Sequence, residues 1–182
     1  MKRKNTFVAI SVTLLLTFIV FLTACYLREE EKWYNEGVKY TNYHEYGKAL
    51  ECINKAINLK PDFAMAYALR GHVYSELVRY EEAIEDYTKA ISLDPNSPDF
   101  YYNRAHVYTE LEDYDAAILD LTESIKRAPD HANSFYLRGY SYYKIDRIEE
   151  ALEDYTKACE LGDRYSCDDL KKLKKEMIRL QK

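Results

Sequence analysis

Residues 64–97, with the sequence AMAYALRGHVYSELVRYEEAIEDYTKAISLDPNS, contain the pattern from which the fold can be predicted. It recurs with changes once before and twice after, and several residue types keep a step of 34 positions through the four copies. These residues are Pro61, Pro95 and Pro129; Gly37, Gly71, Ala105 and Gly139; Tyr40, Tyr74, Tyr108 and Tyr142; and Ala49, Ala83, Ala117 and Ala151. Several series at one fixed period are the sequence signature of a repeat protein.

Each copy predicts a pair of packed helices. In the second copy the helices are predicted at about 64–77 and 80–93, with a short turn between them. The small side chains of Gly71 and Ala83 allow these helices to approach closely. Pro95 ends the second helix, because proline lacks a backbone N–H and restricts the residue before it. One hairpin cannot bury both of its faces, so the copies are expected to stack into a solenoid.

The residues at these positions resemble the tetratricopeptide repeat, in which W-x3-G-x2-Y is followed by A-x3-(large)-x2-A and proline. The second copy matches this pattern at Tyr67, Gly71, Tyr74, Ala83, Tyr87, Ala90 and Pro95, and the other copies match at the equivalent positions. In the fourth copy, Asp163 takes the place of proline. The resemblance implies an all-α fold, a right-handed superhelical solenoid of four helix hairpins followed by a C-terminal capping helix. The implied boundaries are 30–163 for the repeats (about 30–63, 64–97, 98–131 and 132–165) and 164–182 for the capping helix.

The first 24 residues differ in composition from the rest. A basic start, MKRK, precedes 19 uncharged residues at 6–24, which predicts a secretion signal or a transmembrane anchor. Residues 22–25, Leu-Thr-Ala-Cys, resemble a bacterial lipobox, and the resemblance implies cleavage after residue 24 and acylation of Cys25. Residues 25–29 would then be a short linker. An uncleaved anchor remains the alternative, and in both cases the repeats are expected outside the cytoplasm.

Together these features predict a protein attached to the cell membrane or outer membrane and facing the periplasm or the cell exterior. The chain has 26 basic and 31 acidic residues. Removal of residues 1–24 would leave 23 basic residues and a net charge of −8. This acidic balance disfavours nucleic acid as a partner.

Three cysteines follow the predicted lipobox. Cys159 and Cys167, in KACELGDRYSC, resemble the cysteine pair of cysteine-rich Sel1-like repeats. That resemblance implies a disulfide between adjacent antiparallel helices, which an oxidising compartment would support. Two free thiols remain the alternative. Cys52 is predicted to be a small buried apolar residue.

The sequence lacks the common catalytic motifs. It contains no glycine-rich phosphate loop, no H-E-x-x-H, no G-x-S-x-G and no C-x-x-C. His72 and His106 occupy equivalent positions in successive copies and could share a metal. The simpler interpretation is that both are polar residues on the concave surface of the solenoid. We therefore predict no catalytic residue, no cofactor and no metal.

A second regularity predicts ion pairs within the copies. Arg70, Arg104 and Arg138 share one repeat position, and Asp86, Asp120 and Asp154 share another. The first copy replaces both members of the pair together, with Glu36 and Cys52. Since guanidinium and carboxylate groups match as bidentate partners, each arginine is expected to bridge to the aspartate of its own copy.

The resemblance assigns a set of first-helix positions to the concave groove. We predict that ten of them bind a protein or peptide, namely Tyr34, Asn35, Leu69, His72, Tyr102, Asn103, His106, Tyr136, Tyr140 and Tyr143. Amphipathic aromatic residues beside asparagine are typical of such surfaces. We expect the tyrosines to lie outside the repeat core, and packing between neighbouring copies is the alternative.

The ligand expected in this groove is an extended or helical segment that is neutral to basic. The basic carboxylate clamp of chaperone-binding members does not match here, because its positions hold Tyr34, Val38, Leu69, Asp99 and Asn103. We therefore do not expect this groove to bind a peptide that ends in EEVD.

The last segment predicts an amphipathic helix. Leu170, Leu173, Met177 and Leu180 form its apolar stripe, and most other positions are basic. An end repeat needs its apolar face covered, so we expect a solvating cap, with contact to anionic lipid as the alternative.

The family resemblance favours a non-enzymatic scaffold or adaptor, similar to bacterial lipoproteins that organise envelope hydrolases, pili or secretion machinery. The alternative is a Sel1-like solenoid that binds or processes cell-wall fragments.

Overall fold

The computed structural model describes residues 29–180. The predicted signal segment, Cys25 and most of the predicted linker lie outside the described residues. Within residues 29–180 all regular structure is α-helical. The helices are α1 (Glu29–Asn42), α2 (Tyr46–Leu59), α3 (Ala64–Glu76), α4 (Tyr80–Leu93), α5 (Pro98–Glu110), α6 (Tyr114–Arg127), α7 (Ala132–Lys144), α8 (Ile148–Glu160) and α9 (Arg164–Leu180). The predicted fold class, four helix hairpins followed by a terminal helix, is confirmed.

The described chain divides into two compact units. The first ends at Ala66 and contains the α1–α2 hairpin, and the second begins at Tyr67 and runs through α9. In the second unit each helix from α4 onward packs against the next one in sequence. A smaller contact joins α5 and α7, the first helices of the third and fourth hairpins. Packing of each hairpin against the next one is the arrangement of a solenoid.

The close approach of the two helices in a hairpin depends on the size of one side chain. A Cβ atom at Gly139 would lie 2.9 Å from Cδ1 of Tyr155, and one at Gly71 would lie 3.3 Å from the ring of Tyr87. The third hairpin carries Ala105 at this position, and its partner position carries Leu121 instead of tyrosine. In the second to fourth hairpins, glycine therefore accompanies tyrosine and alanine accompanies the smaller leucine, whereas the first hairpin combines Gly37 with Ile53.

The turn inside each hairpin has the same backbone conformation. His44, Val78, Glu112 and Asp146 lie 34 residues apart and have φ angles of 57°, 58°, 59° and 61°. The residue that follows donates its N–H to a carbonyl five residues earlier, as from Arg79 to Tyr74 over 2.9 Å. This closing bond satisfies a carbonyl at the helix end that would otherwise lack a partner.

The terminal helix begins earlier than the 34-residue period would place it. Gly162 has a φ of 97°, so it can end α8 in the left-handed conformation. Asp163 then accepts a 2.7 Å hydrogen bond from the N–H of Ser166 and caps α9. A glycine and a capping aspartate thus replace the proline-containing link of the earlier copies.

No helix within residues 29–180 is long and apolar enough to cross a membrane.

Candidate binding groove

The three predicted ion pairs fix the helices that carry the groove residues. Arg104 donates to both carboxylate oxygens of Asp120, from Nε over 2.7 Å and from Nη2 over 2.8 Å. The pairs Arg70–Asp86 and Arg138–Asp154 have the same bidentate geometry. The prediction of ion pairs within the second, third and fourth copies is confirmed.

Two of these arginines also join neighbouring hairpins. Nη1 of Arg104 donates to Oγ1 of Thr88 on α4 over 2.7 Å, and Nη1 of Arg138 donates to Thr122 on α6 over 3.0 Å. These contacts between hairpins were not predicted from the sequence. The threonines themselves keep the 34-residue step, which is the signal that could have revealed them.

In the first unit, two predicted groove residues lie on α1. Tyr34 is half-buried, and its ring centroid lies 5.1 Å from that of Phe63. Burial raises the pKa of the Tyr34 hydroxyl. Asn35 is exposed.

In the second unit, the other predicted groove residues lie on three first helices. Leu69 is half-buried and His72 exposed on α3, while Tyr102 and Asn103 are half-buried and His106 exposed on α5. On α7, Tyr136 and Tyr140 are half-buried, whereas Tyr143 is 40% exposed. The structure brings the α7 tyrosines and His106 to two adjoining cavities.

The expectation that these tyrosines lie outside the repeat core is wrong for three of them. Tyr102 and Tyr140 pack against the buried cluster of Ala105, Ala117, Leu121 and Leu137. Tyr136 and Tyr140 pack against a second cluster, formed by Ala151, Tyr155 and Leu173. The reason is geometric, because a first helix in a solenoid contacts both its own partner helix and the next hairpin. Tyr143 belongs to neither cluster.

The first cavity, which we call the terminal cavity, lies between α7, α8 and α9. It has a volume of about 250 Å³ and is lined by Tyr140, Tyr143, Tyr155, Asp169, Lys172, Leu173 and Glu176. Asp169 accepts hydrogen bonds from the Tyr136 hydroxyl over 3.3 Å and from the Lys172 ammonium over 2.8 Å. Burial, followed by the charge of Asp169, raises the pKa of Tyr136.

The second cavity, which we call the middle cavity, lies between the third and fourth hairpins. Its volume is about 360 Å³, and it is lined by His106, Thr109, Glu110, Glu112, Tyr114, Tyr136, Leu137, Tyr140 and Lys144. Tyr114 meets Tyr140 edge to face with ring centroids 6.5 Å apart. The Lys144 ammonium lies 5.8 Å from the Tyr140 ring centroid and 5.9 Å from that of Tyr114. Tyr140 is thus the wall that the two cavities share.

The cysteines of the described chain have distinct environments. Cys159 on α8 and Cys167 on α9 form a disulfide, with their Cα atoms 4.8 Å apart. Cys52 is buried as a free thiol, and burial raises its pKa. The disulfide fastens α9, which supplies one side of the terminal cavity, to the fourth hairpin.

Within the described residues, no group of three or more potential metal ligands occurs. His72 and His106 are both exposed side chains.

Comparisons with known sequences identify the repeats. Residues 79–111 match a sequence model described as "TPR repeat", and residues 102–166 match one described as "Tetratricopeptide repeat". Residues 79–166 therefore carry tetratricopeptide repeats. No curated protein matches the chain.

Solved structures with this fold come from several proteins. PilF of Pseudomonas aeruginosa is 19% identical, with 85% of this chain and 71% of that chain covered and a TM-score of 0.78. MamA is 25% identical, with coverage of 73% and 78% and a TM-score of 0.70. The first TPR domain of Spaghetti (RPAP3), solved with the HSP90 peptide SRMEEVD, is 26% identical, with coverage of 63% and 93% and a TM-score of 0.61. All three share the helical fold of the present chain.

In terms of these repeats, the cavities have defined places. The middle cavity lies between the third TPR (α5 and α6) and the first helix of the fourth. The terminal cavity lies between the fourth TPR (α7 and α8) and the terminal helix α9. TPR domains generally act as protein-interaction scaffolds, and these two cavities could hold side chains of a ligand.

Proposed function

We propose that this chain is a membrane-anchored, extracytoplasmic TPR lipoprotein that serves as a non-enzymatic adaptor for protein partners in the bacterial cell envelope. The observation that carries the proposal is the pair of tyrosine-lined cavities that adjoin at Tyr140. Rigid aromatic side chains around a recess are the usual anchors of a protein interface. The TPR domain of RPAP3, solved with a bound HSP90 peptide, supports peptide binding by this fold.

The proposed location is supported by the sequence outside the described residues. The uncharged run at 6–24 and the lipobox-like residues 22–25 favour export and acylation of Cys25. The disulfide between Cys159 and Cys167 agrees with an oxidising compartment. Mass spectrometry of the membrane form should detect an acylated chain that begins at Cys25, and Cys25→Ala should block this processing. An intact chain from Met1 in the membrane would contradict the lipoprotein assignment.

Affinity purification from detergent-solubilised membranes tests the adaptor proposal. We expect the full chain to retain a protein partner in stoichiometric amount, and His106→Ala with Tyr143→Ala to reduce this retention by at least tenfold. Both side chains are exposed, so the double variant should keep its helix content. Leu119→Ala is the matched control, because Leu119 is also an exposed apolar residue and lies on α6 away from both cavities. Retention of cell-wall fragments without a protein partner would favour a Sel1-like binding role instead.

A further inference from the structure

The charges around the two cavities are not balanced. The acidic residues that line the terminal cavity are Asp169 and Glu176, and those that line the middle cavity are Glu110 and Glu112. Each cavity contains one lysine, either Lys172 or Lys144. Counted over aspartate, glutamate and lysine, each cavity therefore carries one excess negative charge.

The two lysines already interact with their surroundings. Lys172 forms a 2.8 Å ion pair with Asp169. Lys144 lies over the rings of Tyr114 and Tyr140. Neither Glu110 nor Glu176 has a salt-bridge partner within residues 29–180. Each cavity thus presents a carboxylate, Glu110 or Glu176, that can pair with a cation from a ligand, and Glu112 adds a second carboxylate to the middle cavity.

The aromatic walls favour the same kind of ligand group. A tyrosine ring attracts a cation over its face, and the attraction is stronger where water is displaced. Tyr143 and Tyr155 line the terminal cavity, Tyr114 lines the middle cavity, and Tyr140 lines both. A guanidinium group suits such a site better than an ammonium, because it can stack on a ring and bind a carboxylate at once.

We infer that the two cavities together form a recognition site for a partner segment with two arginine side chains, one placed on each side of Tyr140. The inference rests on the proposed adaptor function and specifies the chemistry of the partner. An acidic C-terminal peptide would meet Glu110 and Glu176 with charges of the same sign. An anionic lipid headgroup would meet the same repulsion. The occupant is therefore a basic protein segment.

The test measures binding of defined peptides to the full chain in nanodiscs of zwitterionic lipid. The probes are fluorescein-labelled, alanine-based peptides with two arginines at increasing separations. Each has a twin in which citrulline, a neutral isostere, replaces both arginines. Fluorescence anisotropy measures peptide binding, and the signal with empty nanodiscs is subtracted to remove binding to the lipid.

The expected result is a charge-dependent preference that the cavity residues control. At least one arginine peptide should bind about tenfold more tightly than its citrulline twin. Glu110→Gln with Glu176→Gln should abolish this preference, and Tyr143→Ala should reduce the affinity at least fivefold. The control is Glu85→Gln with Glu153→Gln, which removes the same charge from two exposed second-helix positions and should leave the preference within twofold.

Two results would overturn the inference. One is equal binding of arginine and citrulline peptides at every separation. The other is an equal loss in the Glu85/Glu153 control, which would show a general effect of acidic surface charge. Partner retention that depends on His106 and Tyr143, combined with no arginine preference, would contradict this inference and leave the adaptor function standing. Arginine preference without any retained protein partner would contradict the adaptor function alone.

Discussion

At the scale of single residues, the second, third and fourth hairpins have matched sizes at two facing positions, whereas the first combines Gly37 with Ile53. Glycine faces tyrosine in the second and fourth TPRs, and alanine faces leucine in the third. The sequence predicted that this position must be small, because it is Gly or Ala in all four copies. The reason for the choice between the two residues became visible only with the distances to Tyr87 and Tyr155.

This matching predicts how Gly139→Ala acts. The new Cβ would lie 2.9 Å from the Tyr155 ring and 3.1 Å from Cβ of Asp154, so we expect a loss of about 1–3 kcal/mol in unfolding free energy. Adding Tyr155→Leu recreates the pairing of the third TPR, and the double variant should lose less than the sum of the two single losses. Urea denaturation measures all three. Gly47→Ala is the control, since a Cβ there has no neighbour within 4 Å. Strictly additive losses would contradict the account.

The left-handed turn residues could not be predicted from residue type. Glycine and asparagine favour this conformation, but the four positions carry histidine, valine, glutamate and aspartate. Val78 is the least favourable of these, because a β-branched side chain crowds the backbone at positive φ. It is also exposed, so no packing compensates.

Val78→Asn should therefore stabilise the protein by about 1 kcal/mol. Asp146→Asn, at the equivalent turn of the fourth TPR, should change the stability little, because aspartate tolerates the left-handed region almost as well as asparagine. Thermal denaturation of both variants measures these changes in stability. A lower melting temperature for the Val78 variant would mean that this valine makes a stabilising contact.

At the scale of elements, the arginine–aspartate pairs hold the two helices of a hairpin together. The side chains of Arg104 and Asp120 are only 17% and 9% exposed, and Arg104 also reaches the preceding hairpin through Thr88. The sequence predicted the pairing because both members change together in the first copy. It did not predict the link between hairpins.

Removing one member of this pair should be far more costly than removing both. Arg104→Ala leaves the buried Asp120 carboxylate without a partner, at a cost of about 3–5 kcal/mol. Arg104→Met with Asp120→Leu should restore most of the stability, since apolar replacements of a buried pair are often close to neutral. Arg79→Ala is the control, because the Arg79–Glu82 pair is exposed. A loss for Arg104→Ala no larger than the control loss would show that the pair adds little.

The disulfide between Cys159 and Cys167 holds the terminal helix α9 against α8. Opening the bond between Cys159 and Cys167 should reduce the stability of α9 by about 2–3 kcal/mol for a loop this short. Hydrogen exchange after mild reduction should show faster exchange in residues 164–180 and unchanged exchange in α5 and α6. Unchanged exchange in α9 would mean that packing of Leu173 alone holds the helix.

At the scale of the whole molecule, the period of 34 residues was enough to predict helices α1 to α8, and the apolar stripe of the last segment predicted α9. Periodicity reports which faces are apolar, and therefore which helices pack. It does not report how far a side chain on a first helix extends toward the next hairpin, so the packing roles of Tyr102, Tyr136 and Tyr140 were missed. The two cavities were missed for the same reason, because their walls come from three helices. The start of α9 at residue 164 coincides with the start given for the capping helix, and Gly162 and Asp163 are common residues at a helix end and a helix start.

The central claim is that a protein partner binds at the cavities beside Tyr140. Site-specific photo-crosslinking in cells tests it most directly, with p-benzoylphenylalanine in place of Tyr143 in one variant and of Leu119 in another. Both positions are exposed, but only Tyr143 lines a cavity. We expect a discrete crosslinked partner from position 143 and none from position 119. A partner crosslinked from position 119 and absent from position 143 would contradict it.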